Sequence, residues 1–237
     1  MTTNTLLVCV SALAVSGCNM LQTVPAEQRE QERRFVAQQE TFDRQANATE
    51  ERFRSMPVAQ LIGELEQGAA RGSEPFNAPA FREVVRRKDA APALLASIAG
   101  GSSQREYFKL MALKRLDAAA SAKVPAKQGA AILTDALAKS ETFNAWGIPN
   151  HYWQSSARAI IEYGSEAVPY LERLLDDQRP APVWGSEEAT IYEQYRFRVC
   201  DYALALLNEM NPQRKVDLPV APAERDALIA SYKTTRQ

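Results

Sequence analysis

The fold is decided by the stretch ARAIIEYG (157–164), which runs through Ser165 into EAVPYL (166–171). Ala157, Ile160 and Ile161 recur at the spacing of one helix face. Pro169 stands in what looks like the first turn of a following helix, where proline is tolerated because its missing N–H would be unpaired anyway. The stretch therefore predicts two helices joined by a short turn.

The same combination of a proline and a helical apolar set recurs along the chain. Leu61, Ile62 and Leu65, for example, follow Pro57 at helical spacing. The recurring prolines are Pro57, Pro92, Pro125, Pro169 and Pro222, at spacings of 35, 33, 44 and 53 residues. Periods in this range indicate stacked helical hairpins, with the extra length in loops. We therefore predict an all-α domain over residues 56–237.

A second helix is predicted after most of these first helices. Their apolar markers are Phe81, Tyr107, Ile160 and Cys200. The junction at 157–171 resembles the HEAT-like repeat family, in which an A-x-A-L-x-x-I-G helix leads into an E-A-V-P-x-L helix. The resemblance covers about residues 57–210. It implies a HEAT-like α-solenoid that acts as a scaffold or binding surface more than as a catalyst.

The N-terminus carries a different pattern. An apolar run from Leu6 to Val15 ends in Ser16 and Gly17 and is followed by Cys18. Such a run closed by small residues is typical of a secretory signal, and the cysteine resembles the lipobox of bacterial lipoproteins. In that family the peptide is cut before the cysteine, which then carries the lipid, palmitate included. The resemblance implies a signal peptide at residues 1–17 and a lipidated Cys18.

Two other interpretations of this segment stay open. An uncleaved membrane anchor would need about 20 apolar residues, more than the run provides. An ordinary cleaved signal would leave Cys18 without a role. The segment before the run has no basic side chain, which a signal usually has, so the true start can lie upstream.

The lipobox resemblance also implies a location. In some lipoproteins an aspartate after the cysteine retains the protein at the inner membrane, and this chain has Asn19 instead. We therefore expect a lipid-anchored envelope protein that faces the periplasm from the outer membrane. Through the lipid anchor, the membrane itself is one of the expected partners.

Residues 18–55 form a polar segment rich in Gln, Glu and Arg. Its sparse apolar residues, which fall near one helical stripe, are Phe35, Phe42, Ala46 and Phe53. A short coiled coil is disfavoured because Gln38 and Gln45 occupy the d positions. We expect a partly helical spacer with too few apolar residues to join a core.

Composition excludes several classes of function. A net charge of −1 and a pI near 6.0 give no basic surface for nucleic acid. A single histidine argues against a zinc or iron site, and no phosphate loop, nucleophile elbow or CxxC pair is present, so we expect no cofactor and no metal. Once Cys9 and Cys18 are set aside, Cys200 is predicted to be a small core hydrophobe.

Two insertions lengthen the repeat, at 141–153 and at 178–188, and each separates the two helices of one hairpin. Equivalent loops of a stacked array emerge along one edge, which is often the binding face. The binding residues predicted there are Trp146, His151, Tyr152, Trp153, Trp184, Glu187 and Glu188. Alternatively, each tryptophan anchors its loop to the hairpin ends, since aromatic side chains mostly serve burial.

Two functions of different classes follow. The first is an envelope lipoprotein that binds or scaffolds a protein or a peptidoglycan-related partner through this edge. The alternative is an envelope hydrolase or transferase that uses His151 with Glu187 and Glu188 at the same place. Convergence of His151 and a carboxylate in one concave pocket would favour the enzyme. A shallow aromatic surface would favour the binding module.

Overall fold

The computed structural model describes residues 26–70, 75–99, 104–211, 213 and 216–236. Most of these residues lie in α-helices, which confirms the predicted all-α class. The predicted signal peptide (1–17) and the lipidation site Cys18 lie outside the described residues. No helix in the described ranges has both the length and the apolar character needed to cross a membrane.

The helices of the described residues are α1 (Ala26–Ser55), α2 (Val58–Ala70), α3 (Pro79–Arg86), α4 (Ala90–Ser97), α5 (Gln104–Leu116), α6 (Ala118–Ser121), α7 (Ala126–Lys139), α8 (Ser155–Glu162), α9 (Val168–Leu174), α10 (Ser186–Tyr195), α11 (Val199–Glu209) and α12 (Pro222–Arg236). Two short strands, β1 (Gly147–Ile148) and β2 (Tyr152–Trp153), pair antiparallel between α7 and α8. Single 3₁₀ turns lie at Pro75–Asn77 and Gly164–Glu166.

The chain divides into two compact units, with the boundary inside α1 after residue 47. In the N-terminal unit the apolar side chains of α1 stand in solvent, with Phe35 69% and Phe42 65% exposed. The helix is supported on its surface by pairs one turn apart, such as Arg34 with Glu30 at 3.1 Å. This part of α1 is polar and exposed, and its role as a spacer stays a prediction.

The last turn of α1 belongs to the C-terminal unit. Phe53, which the spacer interpretation left outside the core, is only 7% exposed within it. Arg52 beside it forms an ion pair with Glu64 of α2. Burial of a phenylalanine side chain contributes about 1.5–3 kcal/mol. The last turn of α1 therefore belongs to the core of the C-terminal unit.

The predicted prolines lie where helices begin. Pro57 and Pro125 directly precede α2 and α7, Pro169 and Pro222 lie in the first turns of α9 and α12, and Pro92 is the third residue of α4. Helix α5 packs against α2, α3, α4 and α7, and α9 packs against α7 and α11. Neighbouring pairs therefore share one core, whereas HEAT-like stacking stays a prediction.

A helix that the sequence pattern did not predict begins at the end of the second insertion. Helix α10 begins at Ser186, directly after Gly185, whose positive φ of 136° favours glycine. None of its side chains is fully buried, and it packs on the core through Ile191, Tyr192 and Tyr195. A helix with so weak an apolar face has little periodic signal.

A buried ion-pair network fixes α12 to α11. Asp201 and Arg225 are both fully buried, and Arg225 Nε lies 3.1 Å from Asp201 Oδ1. Arg198 donates from Nη2 to Asp201 Oδ1 at 2.9 Å and from Nε to Oδ2 at 3.0 Å. Arg225 also donates to the carbonyls of Pro219 and Tyr195, each at 2.9 Å. The Arg225 guanidinium thereby links α12 to Asp201 of α11 and to the end of α10.

Cys200 lies next to this network and is fully buried, which confirms the predicted core role. Burial raises the pKa of its thiol to about 12, and the neighbouring Asp201 carboxylate acts in the same direction. The thiolate is the nucleophilic form of cysteine, so a thiol with this pKa is chemically inert at neutral pH.

Candidate functional site: the loop edge

The first insertion is shaped by the β1–β2 hairpin. Its turn is closed by the His151 N–H, which donates to the Ile148 carbonyl at 3.1 Å. Pro149 and Asn150 occupy the middle of the turn, and Asn150 has a φ of 67°. Proline second and a positive-φ residue third are typical of a type II turn. Gly147 has a φ of 90°, and a side chain there would collide with the Tyr152 carbonyl.

Two asparagines connect this insertion to other parts of the chain. Asn144 accepts from the Trp184 N–H at 2.9 Å and donates to the Trp184 carbonyl at 2.5 Å. Asn150 accepts from the Leu218 N–H at 2.9 Å and donates to its carbonyl at 2.8 Å. Phe143 adds a backbone bond to the Pro182 carbonyl at 2.8 Å. The two insertions therefore lie side by side, as the repeat pattern predicts.

Trp146 is not part of the exposed surface. Its side chain is 1% exposed, its indole N–H donates to Ser140 Oγ at 2.8 Å, and its ring stacks on Tyr107 at 5.6 Å. This corrects the predicted binding role, because a buried indole has no area left for a partner. Trp146 anchors the first insertion on the end of α7.

The exposed part of the edge centres on Trp184 and Tyr152, which are 66% and 38% exposed. The Tyr152 hydroxyl donates to Glu188 Oε1 at 3.3 Å and so bridges the two insertions. Partial burial and the Glu188 carboxylate both raise the pKa of Tyr152, so the hydroxyl keeps its proton and remains a donor. Glu187 is exposed in the first turn of α10.

A groove of about 220 Å³ opens beside these residues. Its lining includes His151, Tyr152, Trp153, Asn208, Glu209 and Asp217. The exposed His151 ring makes an edge-to-face contact with Tyr195 at 5.8 Å, and half-buried Trp153 makes one with Tyr202 at 6.2 Å. We call Tyr152, Trp184, Glu188 and this groove the loop edge.

The groove brings His151 to a different pair of carboxylates from the one predicted. Glu209 lies at the end of α11, and Asp217 lies in the segment before α12. Glu187 and Glu188 are not among the residues that line the groove, and their combination with His151 stays a prediction. Within the described residues, the His151 side chain makes no hydrogen bond that would orient its ring. Acid–base catalysis by histidine normally requires a ring held in a defined orientation.

The chemistry of the groove suits recognition of a polar ligand with flat faces. Trp153 and Tyr152 offer aromatic surface with a polar end. The Asn208 amide and the carboxylates of Glu209 and Asp217 offer donors and acceptors at the rim. Such a mixture fits a sugar, a peptide or an amino group. In the described part of the chain, no three His, Cys, Asp or Glu side chains cluster closely enough for a metal ion.

Comparisons of the chain with family models, curated proteins and solved structures gave no match.

Sequence patterns located His151, Tyr152 and Trp153 but missed the other polar residues that build the groove. Asn150 could have been found from the Pro149-Asn150 pair, which favours a turn. Glu209 and Asp217 carry no local signal, because they are 58 and 66 residues from His151. Asn144 likewise reaches 40 residues to Trp184.

Proposed function

We propose that this chain is a lipid-anchored protein of the cell envelope that binds a partner, without catalysis, through the loop edge. The observation that carries the proposal is Trp184. Its ring is 66% exposed while its backbone is held at both its N–H and its carbonyl by Asn144. Because the backbone is already held, less chain freedom is lost when the exposed ring meets a partner. Exposed tryptophan and tyrosine side chains are also enriched among residues that dominate binding energy.

The proposed partner is an envelope protein or a peptidoglycan-related molecule. Peptidoglycan offers sugar rings for Trp153 and Tyr152, and peptide amino groups for Glu209 and Asp217. A protein partner would bury Trp184 and Tyr152 together. The proposed partners leave out nucleic acid, because the net charge is −1.

Alanine variants of the loop edge test this function. Trp184→Ala and Tyr152→Ala should each weaken binding by more than about 1 kcal/mol, a factor of at least about five. The assays are co-sedimentation with isolated peptidoglycan sacculi and chemical crosslinking in intact membranes. Phe42→Ala is the matched control, since Phe42 is as exposed as Trp184 but lies in the spacer. If the unmodified protein and the three variants sediment equally with sacculi and give the same crosslinks, the proposal is contradicted.

An envelope hydrolase or transferase is a second candidate, because His151 shares one groove with Glu209 and Asp217. In that case His151→Gln would abolish turnover of a sacculus-derived substrate and leave sacculus binding intact. A pure binding module would show no turnover, whether His151 is present or replaced by glutamine. The missing orienting hydrogen bond on His151 favours the binding module.

The lipid anchor rests on the sequence around Cys18, which lies outside the described residues. We expect the mature protein to begin at Cys18 with lipid attached, and intact mass of the membrane-extracted protein measures this. Cys18→Ser should release the protein from the membrane fraction, because acyl chains contribute about 0.8 kcal/mol per buried CH₂. A retained Met1, or an unmodified Cys18, would contradict the anchor and leave the loop-edge proposal standing.

A further inference from the structure

A second groove, of about 370 Å³, lies between α3 and the end of α5 and differs chemically from the loop edge. Its lining includes Glu50, Phe76, Phe81, Arg82, Arg86 and Arg115. Three guanidinium groups therefore share one concave surface with a single carboxylate. The net charge of the chain is −1, so this is a local excess of positive charge.

Within the described ranges, two of the three guanidinium groups of this groove have no carboxylate partner. Arg82 and Arg86 stand one turn apart on α3 and so lie on the same helix face. The carboxylate of Glu83 approaches Arg86 only to 3.8 Å. Among the residues that the structure describes, no carboxylate pairs with Arg82 or Arg115.

Some arginines elsewhere in the domain provide a contrast. Arg52 pairs with Glu64, and Arg179 pairs with Asp177, so each of these charges already has a carboxylate partner within the fold. Arg82 and Arg115 line the same groove without such a partner among the described residues.

An aromatic ring lies beside the third cation. The Arg115 guanidinium lies 6.0 Å from the centre of the Phe76 ring, and Phe76 meets the buried Phe81 edge to face at 5.4 Å. A guanidinium at this distance from an aromatic face is at the outer range of a cation–π attraction. The contact favours an Arg115 position on the Phe76 side of the groove.

The geometry points to a site for a phosphate group, carried either by a soluble phosphate ester or by a lipid head group. Phosphate has several oxygens and up to two negative charges, and arginine binds it through two parallel hydrogen bonds. A single carboxylate has only two oxygens to offer to three guanidinium groups. Phe76 would contact the apolar part of the ligand, and Glu50 would favour a hydroxyl or amino group on it.

Binding measurements on the full chain with Cys18→Ser, which cannot carry the lipid, test this site. The probes are inorganic phosphate, followed by calorimetry, and vesicles of phosphatidylcholine with and without phosphatidylglycerol, followed by co-sedimentation. Arg82→Gln with Arg115→Gln should lower the affinity for the bound probe about tenfold or more. Arg105→Gln with Lys123→Gln removes the same charge from exposed positions outside the groove and should change affinity less than about twofold.

The two sources of phosphate give different results, and both support the site. If inorganic phosphate binds the protein and displaces it from the vesicles, the phosphate group itself is the ligand. Binding to phosphatidylglycerol vesicles alone identifies the lipid head group. Arg82→Gln alone, which leaves the Arg115–Phe76 contact in place, should also weaken binding and guards against a folding defect. Equal losses in both double variants, or no binding of either probe, would overturn the proposal.

Discussion

Asp201→Ala should destabilise the domain by about 3–5 kcal/mol, the cost of removing one partner from a buried ion pair. Arg225 is fully buried and would keep a charge in the core, with its nearest carboxylate gone. Arg198 would lose both its side-chain contacts to Asp201 and the bond from its backbone N–H, which Asp201 Oδ2 accepts at 2.9 Å. Urea unfolding followed by circular dichroism measures the change.

Asp226→Ala is the matched control for this variant. Asp226 contacts the same Arg198 guanidinium at 2.9 Å, but its side chain is 52% exposed. Exposed pairs contribute about 0–1 kcal/mol, so its loss should be small. If the two variants unfold at the same urea concentration, the Asp201 network does not hold α12 in place. That result would contradict its assigned role.

The second large effect is expected for Trp146→Ala, with a loss of about 3–5 kcal/mol from removal of a buried aromatic side chain. The variant would leave a cavity beside Tyr107 and remove the hydrogen bond from the indole N–H to Ser140 Oγ. For a domain of this size, such a loss lowers the melting temperature by roughly 6–20 °C. Thermal unfolding followed by circular dichroism measures it.

Trp184→Ala provides the comparison, because it removes the same side chain from an exposed position. The melting temperature should change little, since substitutions of exposed residues are usually within about 0.5 kcal/mol. The loop position is kept by the Asn144 side chain, which bonds to the Trp184 backbone and not to its indole. A large drop for Trp184→Ala would mean that the indole anchors the loop, and the proposed binding role would then lose its main support.

The fold class could be predicted from the sequence because helices leave a local record. Pro57, Pro125, Pro169 and Pro222 lie at helix starts, as their missing N–H requires. Apolar residues three and four positions apart share a helix face whatever the rest of the chain does. The neighbouring positions of the two insertions followed from the same repeat. Helix α10 was missed because none of its side chains is fully buried and its periodic signal is weak.

The candidate site could be predicted only in part. The pattern located the two insertions, and with them Tyr152, Trp184 and His151. It could not separate Trp146 from Trp184, which look alike in sequence. Burial depends on which surface lies against each ring, and Tyr107, 39 residues away, supplies that surface for Trp146.

By itself, then, the sequence determined a helical domain that follows a polar spacer, and the place where its loops are long. Those properties depend on residues within one or two helical turns of each other. Only the tertiary structure decided that His151 lines one groove with Glu209 and Asp217, and that Asp201 meets Arg225 in the core. Such pairs form wherever packing brings distant segments together. Their spacing along the chain therefore carries no signal, and each pair depends on the arrangement of the whole domain.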